Sequence, residues 1–162
     1  MTRSGERTVL RVVVDTNVWV SALLNRYGYP AQVLSLFRAG RFTLLISEPL
    51  LGELAEVLSR PRIARKYRVT QDDIGELIAL LRERGIQVGV KGSLRLCRDP
   101  DDDVILETAF LGNANTVVSR DGDLKGDEDL VLILQAAGIG VLSVSHFLQA
   151  LSQVKAEPEK QP

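Results

Sequence analysis

Val12-Val13-Val14-Asp15-Thr16-Asn17 is the stretch that decides the fold. Three β-branched residues in a row read as a strand buried on both faces, because only such a strand dispenses with polar alternation. Asp15 closes the run, where a strand gives way to a loop. The same grammar recurs outward. Strand-like runs are expected at Val9–Val14, Phe42–Ile46, Ile86–Val90, Thr116–Ser119 and Gly140–Val144. Helical segments are expected at Asn17–Arg26 and Pro30–Ala39, with Gly40 as a stop. Ser47 reads as the N-cap of a helix running to Ser59, with Glu48 and Pro49 in its first turn. Thr70 caps another that Gly85 ends, and Arg60–Arg68 reads as a short basic connection. Further helices are expected at Asp101–Leu111, Leu130–Ala137 and Ser145–Gln153. Strands alternating with helices predict an α/β protein: a three-layer α/β/α sandwich around a central parallel sheet of about five strands.

At 162 residues the chain has the size of one domain with its own core. We expect a polar N-terminal segment over residues 1–8, one domain over 9–153 and a disordered tail over 154–162. Twenty Lys+Arg against 21 Asp+Glu give a formal charge of −1, so any nucleic-acid surface must be local. The single cysteine, Cys97, excludes an internal disulfide and fits a reducing, cytoplasmic setting. With His146 the only histidine, a zinc site built from His and Cys is excluded. The polar start and the interruptions at Arg11 and Asp15 do not make a signal peptide, and no run is long enough to span a membrane.

Ligands of open α/β sheets bind beyond the carboxyl ends of the strands. Asp15 and Asp121 both follow strands there, while Glu53 lies in the helix after Ser47 and the Asp99–Asp103 cluster opens another. Carboxylates converging in one pocket repel unless a cation fills it, and their oxygens suit Mg²⁺ or Mn²⁺. Such ions assist phosphodiester hydrolysis. Each acid also has a plainer role. Asp15 can cap a helix, and Asp101 or Asp102 can complement a helix dipole. Glu53 lies about 60° from the centre of the apolar stripe Leu50, Leu54, Val57 at ~100° per residue, beside the core rather than away from it. Periodicity does not choose between Asp102 and Asp103, because Val104-Ile105-Leu106 is apolar on several faces. In Ser119-Arg120-Asp121-Gly122-Asp123, one acid serves the tight turn and the other the ion.

Val-Val-Val-Asp15-Thr16-Asn17, Ser47-Glu48-Pro49-Leu50-Leu51-Gly52-Glu53-Leu54, Asp-Pro-Asp-Asp-Asp103-Val-Ile-Leu and Val-Val-Ser119-Arg120-Asp121-Gly-Asp123-Leu124 occur in that order. Together they resemble the four acid motifs of PIN-domain ribonucleases, a Rossmann-like family, and are most similar to toxin members of toxin–antitoxin pairs. The resemblance spans Val9 to Leu151. It implies hydrolysis of single-stranded RNA with one or two Mg²⁺ or Mn²⁺ ions. Asp15, Glu53, Asp103 and Asp121 would be both catalytic and metal-binding, the spacing of the last two in relatives selecting Asp103 over Asp102. Asn17, Ser119 and Asp123 would support these acids. A homodimer and a cognate antitoxin protein are the further expectations, with Trp19, Leu23 and Phe147 as apolar residues beyond the needs of the sheet.

RNA must be held against an acidic pocket. Arg60, Arg62, Arg65, Lys66 and Arg68 form a run without an acid, Tyr67 can stack on a base, and Arg120 adjoins Asp121. A solvated connection is the plainer reading of that run. Three rival classes compete. A receiver-like signalling module requires a Lys ending its last strand, which Gly140–Ser143 lacks. A flap nuclease needs more chain. A catalytically silent scaffold binding RNA or protein would be expected to lose an acid, and all four are present.

Overall fold

The computed structural model describes residues 10–96, 100–120 and 128–154. Among them, five strands and eight helices follow in the order β1 (Arg11–Val14), α1 (Thr16–Leu24), α2 (Tyr29–Arg38), β2 (Thr43–Ile46), α3 (Glu48–Ser59), α4 (Pro61–Tyr67), α5 (Gln71–Arg84), β3 (Ile86–Gln87), α6 (Pro100–Leu111), β4 (Thr116–Ser119), α7 (Glu128–Ala136), β5 (Gly140–Ser143) and α8 (Val144–Val154). The strands form one sheet in the order β3-β2-β1-β4-β5, and every pairing is parallel. The expected α/β/α sandwich is what the chain forms.

Period-2 alternation builds the layers. Val12, Val14, Leu44, Ile46 and Val118 enter one core with buried residues of α1, α2, α3, α5 and α8. Val13, Leu45 and Val117 enter the other, against Ile105, Leu106 and Ala109 of α6 and Leu134 of α7. Each fully buried Val or Leu contributes ~1.5–3 kcal/mol relative to exposure, so the two-faced strands fix the register strongly.

Trp19, Phe37, Phe42 and Phe147 pack in sequence, with ring centroids 6.2, 5.8 and 5.1 Å apart. Trp19 and Phe147 are therefore core residues, and Leu23 packs partly buried against the same cluster. The reason for expecting a dimer from these side chains falls away, because they join α1, α2 and α8 to each other.

Several boundaries differ from the sequence reading. The third strand stops at Gln87 instead of Val90; Val88 N–H still donates to Ile46 O at 2.8 Å, after which Gly89 lets the chain leave the sheet. The basic connection contains a helix, α4, which starts with Pro61 at its first position. It ends at Arg68 in the left-handed region (φ 57°), and the N–H groups of Arg68 and Val69 both donate to Ala64 O. Thr70 caps α5 as expected: its hydroxyl accepts from Asp73 N–H at 3.0 Å and its own N–H donates to the Asp73 carboxylate at 2.9 Å. Ser47 stands at the N-cap of α3 but turns its hydroxyl away from the helix. Among the described residues, no helix is long and apolar enough to cross a membrane.

Candidate active site

The strand order places the site. From β1 the chain moves outward to β2 and β3, then returns to lay β4 on the other side of β1. The β1–β4 boundary is the topological switch point, the crevice where open α/β sheets receive ligands. Asp15 stands at its mouth. Its N–H donates to Val118 O of β4 at 2.9 Å, and its half-buried carboxylate accepts the N–H of Asn17 at 3.2 Å. Asp15 is thus a helix cap and a site candidate at once. Asn17 supports it through its backbone, while its side chain is exposed. Ser119 is buried at the end of β4, in register with Ser143 of β5.

Helix α6 brings the next acids. Arg11, the first residue of β1, donates to Gly112 O at 2.7 Å and Asn113 O at 3.1 Å, pinning the C-terminal end of α6 at the entry end of the sheet. Twelve helical residues span ~18 Å, so the first turn of α6 lies toward the strand exits. Ile105, Leu106 and Ala109 face the sheet, and Asp102 continues that stripe at the i, i+3, i+4, i+7 spacing. Asp103 lies ~100° around the helix. Both are only 6% exposed. The Asp103 Oδ1 accepts the N–H of Leu96 at 2.8 Å. One turn further, the buried Glu107 accepts the N–H groups of Lys91 at 2.8 Å and Gly92 at 3.1 Å. Asp103 and Glu107 form a ladder that fastens residues 91–96 to α6. Glu107 was not singled out by the sequence, and Asp102 was weighed there only as the alternative to Asp103; the sheet-facing stripe through Asp102 is a signal only once Ile105, Leu106 and Ala109 are known to face inward.

Glu53 is half-buried on α3. The buried stripe there is Leu50, Leu51, Leu54 and Leu58, with Val57 at its margin, so Glu53 flanks the stripe beside Leu50. Leu50 packs in the α6 layer, which puts Glu53 on the flank of α3 nearest that layer. Ser47 ties the two helices: its hydroxyl is 2.9 Å from that of Thr108, whose proton goes to Val104 O at 2.7 Å, so Ser47 donates.

Asp121 and Asp123 lie outside the described residues. Among those described, no three His, Cys, Asp or Glu side chains stand together closely enough to hold a metal ion. The donor chemistry fits a hard divalent cation, because every candidate is a carboxylate. In the basic segment, Arg60 is not an open cation. Its guanidinium forks onto Glu56 at 2.9 and 3.1 Å, a bond that holds the Glu56 carboxyl below its ordinary range. Arg62, Arg65, Lys66 and Arg120 are exposed, and the Lys66 ammonium lies 5.3 Å from the Tyr67 ring centroid. His146 is exposed in the first turn of α8, with its Nδ1 3.0 Å from the Ser143 hydroxyl.

A parallel sandwich with Asp15 at its switch point is built as α/β proteins that take ligands beyond the strand ends are built. Residues 11–123 match the PIN domain, and the chain belongs to the PIN domain family. PIN domains are in general nucleases. The chain is also 27% identical over 146 residues to "Uncharacterized protein MJ1680" of Methanocaldococcus jannaschii, a match covering 89% of this chain and 93% of that protein.

Proposed function

We propose that this protein is a metal-dependent endoribonuclease that hydrolyses phosphodiester bonds of single-stranded RNA, as the toxin of a toxin–antitoxin pair. The observation that carries the reading is the placement of Asp15 at the β1–β4 switch point, with the buried acids of α6 in the turn nearest the strand exits. Asp15, Glu53, Asp103 and Asp121 would hold one or two Mg²⁺ or Mn²⁺ ions, and the inward stripe adds Asp102 as a fifth candidate. A bound ion supplies polarisation of the phosphate and a lowered pKa for the attacking water. The chain's own part is to place carboxylates. Asp15 is oriented by Asn17 N–H and by the strand bond to Val118, and Ser119 and Asp123 would support the acids. Arg62, Arg65, Lys66, Tyr67 and Arg120, with Arg60 in its ion pair, would meet RNA. The similarity of the four acid motifs to toxin members supports the toxin role, a cytoplasmic homodimer and a cognate antitoxin. Residues 9–153 would form the nuclease domain.

The test is cleavage of a mixed single-stranded RNA pool with Mg²⁺ or Mn²⁺ and with EDTA. Asp15→Asn should lower the rate by several orders of magnitude while keeping the fold, since Asn also caps helices. Equal rates for the two proteins would remove the assignment. A catalytically silent scaffold that binds RNA or protein is the second reading. RNA binding without EDTA-sensitive cleavage would select it.

A further inference from the structure

We infer that residues 91–96 form a rigid phosphate-binding strap beside the site, with Arg95 presenting a guanidinium fork to the backbone of single-stranded RNA. The inference rests on the ribonuclease reading for its partner, and on strap geometry for its place.

Asp103 and Glu107 lie about one turn apart on α6, roughly 6 Å along its axis. They hold the N–H of Leu96 at one end and those of Lys91 and Gly92 at the other. Five residues fully extended would reach ~17 Å, so the strap is looped between its anchors. Gly92 (φ 75°) makes the turn. The two carboxylates point inward into backbone N–H groups, which offsets their charge. The side chains of Lys91 and Arg95 are exposed.

Arg95 closes the loop in a particular way. Its Nη1 donates both protons, to Gly92 O at 2.7 Å and Leu94 O at 3.0 Å. The guanidinium is thereby fixed with its Nε–Nη2 edge unoccupied among the described residues. That edge is the one this protein uses elsewhere for paired acceptors. Arg60 grips Glu56 through it, Arg82 grips Glu48, and Arg11 holds two carbonyls. A phosphate offers the same paired oxygens. Arg95 adjoins Leu96, whose N–H is anchored in the turn that carries Asp102 and Asp103. A cation fixed there offsets the repulsion between a polyanion and a carboxylate site.

The experiment is a salt titration of binding to a short mixed-sequence single-stranded RNA, in EDTA so that nothing is cleaved, read by fluorescence anisotropy between about 50 and 200 mM salt. Arg95→Gln should lower the slope of log K against log salt by ~0.7, the value of one phosphate contact on a single strand. Arg95→Lys should keep the slope and weaken binding several-fold, because an ammonium retains the charge and loses the fork. A purely structural role would instead damage both variants alike and lower their melting temperatures together. An unchanged slope in Arg95→Gln, equal losses in the two variants, or no RNA binding by the wild type would overturn the inference. Cleavage with Mn²⁺ is measured separately on the same proteins. Wild type that binds RNA through Arg95 and cleaves none would sink the ribonuclease reading and leave the strap standing.

Discussion

Asp102 and Asp103 are adjacent in sequence, equally buried and chemically identical, yet the helix turns them in different directions. Asp102 extends the sheet-facing stripe toward the switch point, whereas Asp103 holds the N–H of Leu96. A charge-assisted bond of this kind is worth ~1.5–3 kcal/mol where water is excluded. Asp103→Ala should therefore release the strap, and limited trypsin digestion should then cut after Lys91 and Arg95 faster than in wild type. Asp102→Ala should leave those cuts slow and reduce RNA cleavage. Equal trypsin sensitivity in the two variants would contradict this division. Asp15 shows the converse case, one residue with two duties. Its carboxylate caps α1 and also stands at the strand exit, so the plain and functional readings of an Asp after a strand do not compete.

At the scale of elements, α3, α5 and β3 are joined by one exposed clamp. Glu48 accepts two bonds from Arg82, at 2.8 and 3.1 Å, and one from the Gln87 amide at 2.7 Å. The Arg82 hydrogen bond, then that of Gln87, holds the Glu48 carboxyl below its usual range, and the Arg82 pKa rises in turn. A carboxyl depressed on folding stabilises above its unfolded pKa of 4.5, and that contribution is lost as pH falls through the folded value. Glu48→Gln should thus melt slightly below wild type at neutral pH, with the gap closing as pH falls below 4.5; exposure keeps the effect small. A gap that widens in acid would refute it. Two glycines give opposite expectations. Gly75 is exposed inside α5, and an added methyl meets no atom within 4 Å. Gly75→Ala should stabilise by ~0.5–1 kcal/mol in denaturant unfolding. Gly112 follows α6, where a methyl would come within 2.9 Å of Leu45, Val88 and Thr108 O, so Gly112→Ala should destabilise.

For the whole molecule, the reversal of strand order at β1–β4 opens the crevice at Asp15, where the proposed site would gather acids from distant parts of the chain. Like charges gathered there would oppose one another, and an ion that binds only the folded state stabilises by mass action. Thermal melts should show Mn²⁺ raising the melting temperature of wild type at neutral pH. Asp121→Asn should melt higher than wild type in EDTA and respond less to Mn²⁺. No shift with Mn²⁺, together with no gain in the variant, would mean that these acids do not meet. Assembly is a separate matter, because the aromatic side chains first taken as spare surface are interior.

Periodicity and punctuation determined the sandwich by themselves. Unbroken Val and Leu runs can only be strands covered on both faces, and the Gly, Pro and Thr stops between them leave helices as the connections. Asp15 at the end of β1 was legible for the same reason, since an acid after a buried strand falls where α/β sheets bind ligands. Tertiary structure alone decided which side chain does what. It put Trp19 and Phe147 inside and turned the Ser47 hydroxyl to Thr108 instead of its own helix. It also gave Asp103 to Leu96. The physical reason is common to all of these. Backbone pattern follows from neighbours in sequence, whereas the partner of a polar group is whichever atom the packed helices bring within ~3 Å.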